Sequence, residues 1–157
     1  MKRIKNNLLL ATAFLLCCIQ SVYAQEDQTQ DVGLNKNGFY GAAGIVPFYL
    51  TATAYYERIL GQKKVVTSFV KVGYGVYSSW GGGGRYVLAQ YGILTGKKNN
   101  HFELGAGPNW FLKGDFEGRL PVTATMGYRF QKPAGDFIFR TGVSIPESVY
   151  IGVGISL

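Results

Sequence analysis

The chain has 157 residues, 16 Lys+Arg against 9 Asp+Glu, a single histidine and only two cysteines, and it is rich in glycine (22) and tyrosine (11). Cys17 and Cys18 both lie in an N-terminal leader, which excludes a disulfide framework, a thiolate metal site and a cysteine nucleophile in the mature protein. The formal charge of +7 falls to +4 once the leader's three cations are removed, and no basic stripe with interleaved aromatics occurs, so nucleic acid is excluded as a partner.

Residues 1–24 read as a signal peptide. Lys2, Arg3 and Lys5 form its positive region, 8–19 its apolar region, and Ser21-Val22-Tyr23-Ala24 its cleavage site. The apolar stretch is too short for a membrane helix. Cys17 follows Leu15-Leu16 rather than the small residues that lipid attachment needs, so the leader is read as cleaved without lipidation. Residues 25–37 are polar and predict a short disordered lead-in.

From Gly38 onward the chain divides into eight runs: 38–47, 49–60, 65–78, 83–95, 100–111, 119–131, 136–145 and 147–157. Tight-turn chemistry separates them, notably at Gly61-Gln62-Lys63-Lys64, Gly96-Lys97-Lys98-Asn99 and Gln131-Lys132-Pro133-Ala134-Gly135. Trp80-Gly81-Gly82-Gly83-Gly84 reads as a flexible loop on the opposite side; it lacks the Lys-Ser/Thr and helix of a phosphate loop. The lysine turns are expected to be solvated, or to touch lipid phosphates at a membrane surface.

The runs alternate with period two, so each is a strand with two unlike faces. In the last run Val149, Ile151, Val153, Ile155 and Leu157 oppose Ser148, Tyr150, Gly152, Gly154 and Ser156. In the sixth, Val122, Met126, Tyr128 and Phe130 oppose Thr123, Thr125, Gly127 and Arg129. A strand this apolar and unprotected invites aggregation unless another strand pairs with it, and closing a barrel against the first strand supplies that partner. The expected fold is therefore all-β, an eight-stranded antiparallel up-and-down transmembrane β-barrel over residues 38–157. Runs near ten residues match a tilted membrane crossing. Bulky aromatics near the run ends, including Tyr56, Phe102, Tyr128, Phe130, Phe137 and Phe139 at one level and Tyr74, Tyr86 and Trp110 at the other, predict interfacial girdles on the outward face.

Glu57, Lys71, Glu103, Arg129 and Arg140 all fall on the glycine-rich face, which places them in the lumen. Charges persist there only when paired, so a charge network plugging the lumen is expected; a gate or proton relay is the functional alternative. Eight strands leave an interior just filled by side chains, which argues against a water channel. His101 reads as a solvated interface histidine, with no serine nearby for it to activate and no metal-ligand spacing around it.

Tyr56-Glu57-Arg58, His101-Phe102-Glu103-Leu104-Gly105-Ala106-Gly107, Tyr128-Arg129-Phe130-Gln131, Phe139-Arg140-Thr141-Gly142 and the terminal Ile151-Gly152-Val153-Gly154-Ile155-Ser156-Leu157 together resemble the small outer-membrane β-barrel proteins of Bacteroidota. The architecture also resembles the membrane domain of OmpA. Leu157 departs from that family, which usually ends in an aromatic. The resemblance implies placement in the cell outer membrane and insertion by the barrel-assembly machinery. Outer-membrane lipid and lipopolysaccharide are then the surrounding partners, with no cofactor, no enzymatic activity and a monomeric state. Two alternatives have distinct requirements. A lipid-modifying enzyme of the deacylase type needs a serine beside the histidine, and one of the palmitoyltransferase type begins with an amphipathic helix; neither is found. A secreted, soluble ligand-binding barrel would need the five charges outside and the aromatics inside.

Overall fold

Period-two patterning yields eight strands: β1 (Asn37–Val46), β2 (Tyr49–Gln62), β3 (Val66–Ser79), β4 (Gly82–Thr95), β5 (Asn100–Lys113), β6 (Val122–Gln131), β7 (Phe137–Ile145) and β8 (Ser148–Ser156). Each pairs antiparallel with its sequence neighbour, and β8 returns to β1, so the sheet closes into an up-and-down barrel. The structure, a computed structural model, describes residues 33–46, 49–63, 65–96, 98–114 and 121–157. The signal peptide, residues 25–32 of the lead-in and 119–120 of the sixth run lie outside the described residues.

The closing seam runs from Gly38↔Ser156 to Ile45↔Val149 and is reinforced beyond β8 by a mutual backbone pair, Asn37 N to Leu157 O at 3.0 Å and Leu157 N to Asn37 O at 2.8 Å. The terminal strand thus has both edges paired, and no edge of the sheet is left open. With an even strand number, the start of β1, the end of β8 and the three lysine-bearing turns share one end of the barrel, the termini end.

Three local readings change. The run of glycines after Trp80 is not a loop: β3 and β4 stay paired to Ser79↔Gly82, leaving Trp80-Gly81 as the turn. Tyr86 points into the lumen and is fully buried instead of joining an outer girdle. The shift of register between Arg85 and Tyr86 occurs where β4 meets β5, and apolar residues occupy both faces of β4, so hydrophobicity does not fix its phase. Gly75 across the sheet supplies the space, since a Cβ there would meet the Tyr86 ring; Gly92 does the same for Phe69.

The third change concerns the lead-in, whose last part is ordered. Gln62 clamps residue 34 from both sides, its Oε1 accepting from Leu34 N and its Nε2 donating to Leu34 O, each at 2.7 Å. Ala134 N donates to Gly33 O at 3.2 Å, and Asn35 Nδ2 to Ser156 O at 3.2 Å. The clamp drives Leu34 into the barrel mouth against Ile59, Phe69 and Leu94, closing the termini end with a small apolar cluster. Leu34→Ala is expected to cost about 2 kcal/mol, the low end for a buried leucine because a strap can settle into the gap. A lowered melting temperature checks it.

Candidate functional site

The lumen carries the chain's concentrated chemistry. All five sequence-predicted charges, Glu57, Lys71, Glu103, Arg129 and Arg140, point inward and are at most 1% exposed. They come from β2, β3, β5, β6 and β7, one charge per strand.

Register places Arg129 directly opposite Arg140, a like-charge pair that repels if both side chains stay local. They diverge instead. Arg129 reaches across to Glu57, with Nη1 donating to Oε1 at 2.5 Å, and also donates through Nη2 to Gln131 Oε1. Arg140 forks onto Glu103, Nε to Oε2 at 2.8 Å and Nη2 to Oε1. Lys71 is the cross-strand neighbour of Glu57, yet its ammonium donates to Glu103 Oε1 at 3.0 Å.

The result is a Lys71–Glu103–Arg140 triad and an Arg129–Glu57 pair. Tyr40 joins them. Its hydroxyl donates to Glu57 Oε2 at 3.0 Å, while the Arg140 guanidinium lies 4.3 Å from its ring centroid. Lys71 Nζ likewise sits 5.2 Å from the Tyr55 ring. Aromatic faces therefore take up the sides of the cations that carboxylates do not reach.

These five charges sum to +1, which a low-dielectric interior disfavours. A sixth buried charge corrects the balance. Glu147, in the β7–β8 turn, is 2% exposed and accepts hydrogen bonds from Tyr55 OH and Ser144 Oγ, each at 2.8 Å. Three carboxylates then face three cations among the described buried residues, and the lumen is electroneutral. Sequence reasoning missed Glu147 because alternation says nothing about a turn residue; the unbalanced charge count was the signal available. The turn is held inward by Tyr49, whose hydroxyl donates to Pro146 O at 2.7 Å. Glu147→Ala is expected to lower stability by about 1–3 kcal/mol, because it strands two buried hydroxyls, and Glu147→Gln by less, because it keeps an acceptor. Urea midpoints in detergent distinguish the two.

His101 is buried rather than solvated, and its Nε2 lies 3.3 Å from Gln131 O. It shares the inward face of β5 with Glu103, so strand phase alone carries it into the lumen. Its ring engages a backbone carbonyl in place of a nucleophile.

The chain matches no protein-family model, no curated protein and no solved structure.

The geometry of the lumen limits its chemistry. Its far half is packed with Tyr55, Tyr77, Tyr86, Phe111 and Tyr150, and its termini end is sealed by the Leu34 cluster. Glu57 and Glu103 between them, and Glu147 at the far end, are each committed to named donors. Gln90 is also held, donating to Thr123 Oγ1 at 2.5 Å and accepting from Thr125 Oγ1 at 3.0 Å. Such an interior fixes register and resists collapse.

Proposed function

We propose that this chain is a small integral outer-membrane β-barrel, a structural or interaction protein with a closed lumen and no enzymatic activity. The observation that carries the reading is its polarity. Among the described residues six charged side chains lie inside, while Val72, Leu104, Met126, Val143, Ile151 and Val153 stand exposed outside. A soluble barrel has the reverse arrangement, because water penalises a continuous apolar belt and a dry interior penalises charge. Lipid satisfies both conditions, since every backbone group in a closed barrel is already paired.

Aromatic placement supports the same reading. Phe39, Tyr56, Phe102, Tyr128 and Phe137 stand outward near the termini end, at the level where amphipathic rings favour a membrane interface. A cleaved signal peptide delivers the chain to the periplasm, and β8 is the strand offered to the assembly machinery. Lipid and lipopolysaccharide then surround a monomer whose far-end turns meet the outside. The secreted soluble alternative needs Glu57, Lys71, Glu103, Arg129 and Arg140 on the exterior, and their burial argues against it.

Fractionation tests the proposal. The protein is expected in the membrane pellet after an alkaline carbonate wash, with mobility on a gel that changes on boiling. Recovery in the soluble periplasmic fraction would overturn it.

A further inference from the structure

Because the buried charges cancel, the net charge of the described barrel lies on its surface, and it is unevenly placed. Seven described cations are exposed, against one exposed acid, Asp136. Five of the seven, Lys36, Arg58, Lys63, Lys98 and Lys132, surround the termini end, and Asp136 is there too, an excess of +4 in the described side-chain charge. None of the five enters any of the three ion pairs among the described residues, which are all in the lumen.

Their position relative to the rings is the second observation. Arg58 follows Tyr56 by two residues and Lys132 follows Phe130 by two, so each cation continues the outward face one step beyond an aromatic. Lys98 lies in the turn just before Asn100 and the outward Phe102. The tyrosine tips point toward this rim: Tyr56 OH donates to Asn37 Oδ1 at 3.0 Å and Tyr128 OH to Asn100 Oδ1 at 2.7 Å. Apolar belt, amphipathic ring and cation therefore succeed one another along the same face.

We propose that this collar binds the phosphodiester headgroups of anionic phospholipids in the leaflet at the termini end. The inference rests on the membrane reading above and names the lipid class. A zwitterionic headgroup carries its own ammonium and leaves this cationic excess unbalanced; a headgroup with net negative charge balances it. The cations lie one step from the interfacial rings, at headgroup depth, where each basic side chain strengthens attraction to an anionic surface. Arg58 adds a planar fork suited to two phosphate oxygens.

The test uses the full mature barrel, folded in detergent micelles doped with equal phosphatidylglycerol and phosphatidylcholine, with bound lipids counted by native mass spectrometry. The folded barrel is expected to retain phosphatidylglycerol at least fivefold over phosphatidylcholine, and to lose that preference as salt rises. Arg58→Gln, Lys98→Gln and Lys132→Gln combined are expected to cut it by more than tenfold, at about fivefold per cation, leaving the small remainder that Lys36 and Lys63 supply, while Lys113→Gln at the far end leaves it intact. Boil-dependent gel mobility confirms that each variant is folded. Equal retention of the two lipids by the folded barrel would overturn the inference, as would a preference that the triple substitution leaves unchanged. Binding of soluble polyglutamate without headgroup selectivity would also overturn it and assign the collar to a polyanion. A chain that stays soluble and folded without detergent would instead refute the membrane reading itself.

Discussion

Glu103→Ala is expected to lower the stability of the folded barrel by about 3–5 kcal/mol, the range for breaking a buried ion pair by removing one partner. Glu103 is fully buried and takes both Lys71 and Arg140, so its loss leaves two cations in a sealed lumen. The remaining carboxylates cannot take over without losing their own donors: Glu57 is held by Arg129 and Tyr40, Glu147 by Tyr55 and Ser144. Glu103→Gln preserves shape and one acceptor but not charge, and is expected to recover only part of the loss. The triple change Lys71→Met, Glu103→Leu, Arg140→Met separates charge stranding from packing. Replacing a whole buried ionic group with apolar residues of similar volume is often neutral or stabilising, so the triple variant is expected to be more stable than Glu103→Ala. Urea midpoints in detergent, read by boil-dependent gel mobility, check the series. An unchanged midpoint for Glu103→Ala would show that water reaches the triad.

The strand count and most face assignments were legible because a period-two pattern is a direct consequence of pleating, and in β2, β3, β5, β6, β7 and β8 the two faces differ in chemistry as well as size. Where the faces are alike, the pattern is silent. β4 carries Tyr86, Leu88 and Leu94 inward and Val87, Tyr91 and Ile93 outward, so Tyr86 could not be phased from hydrophobicity. The five lumen charges were legible as a set, but their partners were not. Register puts Lys71 beside Glu57, and only the radial directions across the closed barrel send it to Glu103. Leu34 was hidden for a different reason. A lone leucine in a polar segment has no periodicity, and its burial depends on a clamp built from Gln62, Ala134 and Ser156, distant in sequence.

An arginine placed along β8 is expected to report the solvent of the outward face. Ile151 stands at mid-strand, outward and half-exposed, paired with Ala43 on β1 and Thr141 on β7. Ile155 has the same orientation but lies at the level of the rings, paired with Phe39 and Phe137. In a bilayer, Ile151→Arg costs about 2–4 kcal/mol, because the cation sits near the midplane, while Ile155→Arg costs about 0–1 kcal/mol, because its guanidinium reaches the interface. In water both are surface substitutions of an exposed apolar residue, each within about 0.5 kcal/mol of neutral. The comparison cancels local strand effects, since both sites lie on one strand, share one face and replace the same residue. Unfolding of the three proteins in lipid vesicles, with urea midpoints read by gel mobility, measures the difference. A gap of about 2 kcal/mol or more between the two variants supports a lipid-facing belt centred near Ile151, and equal midpoints would refute it.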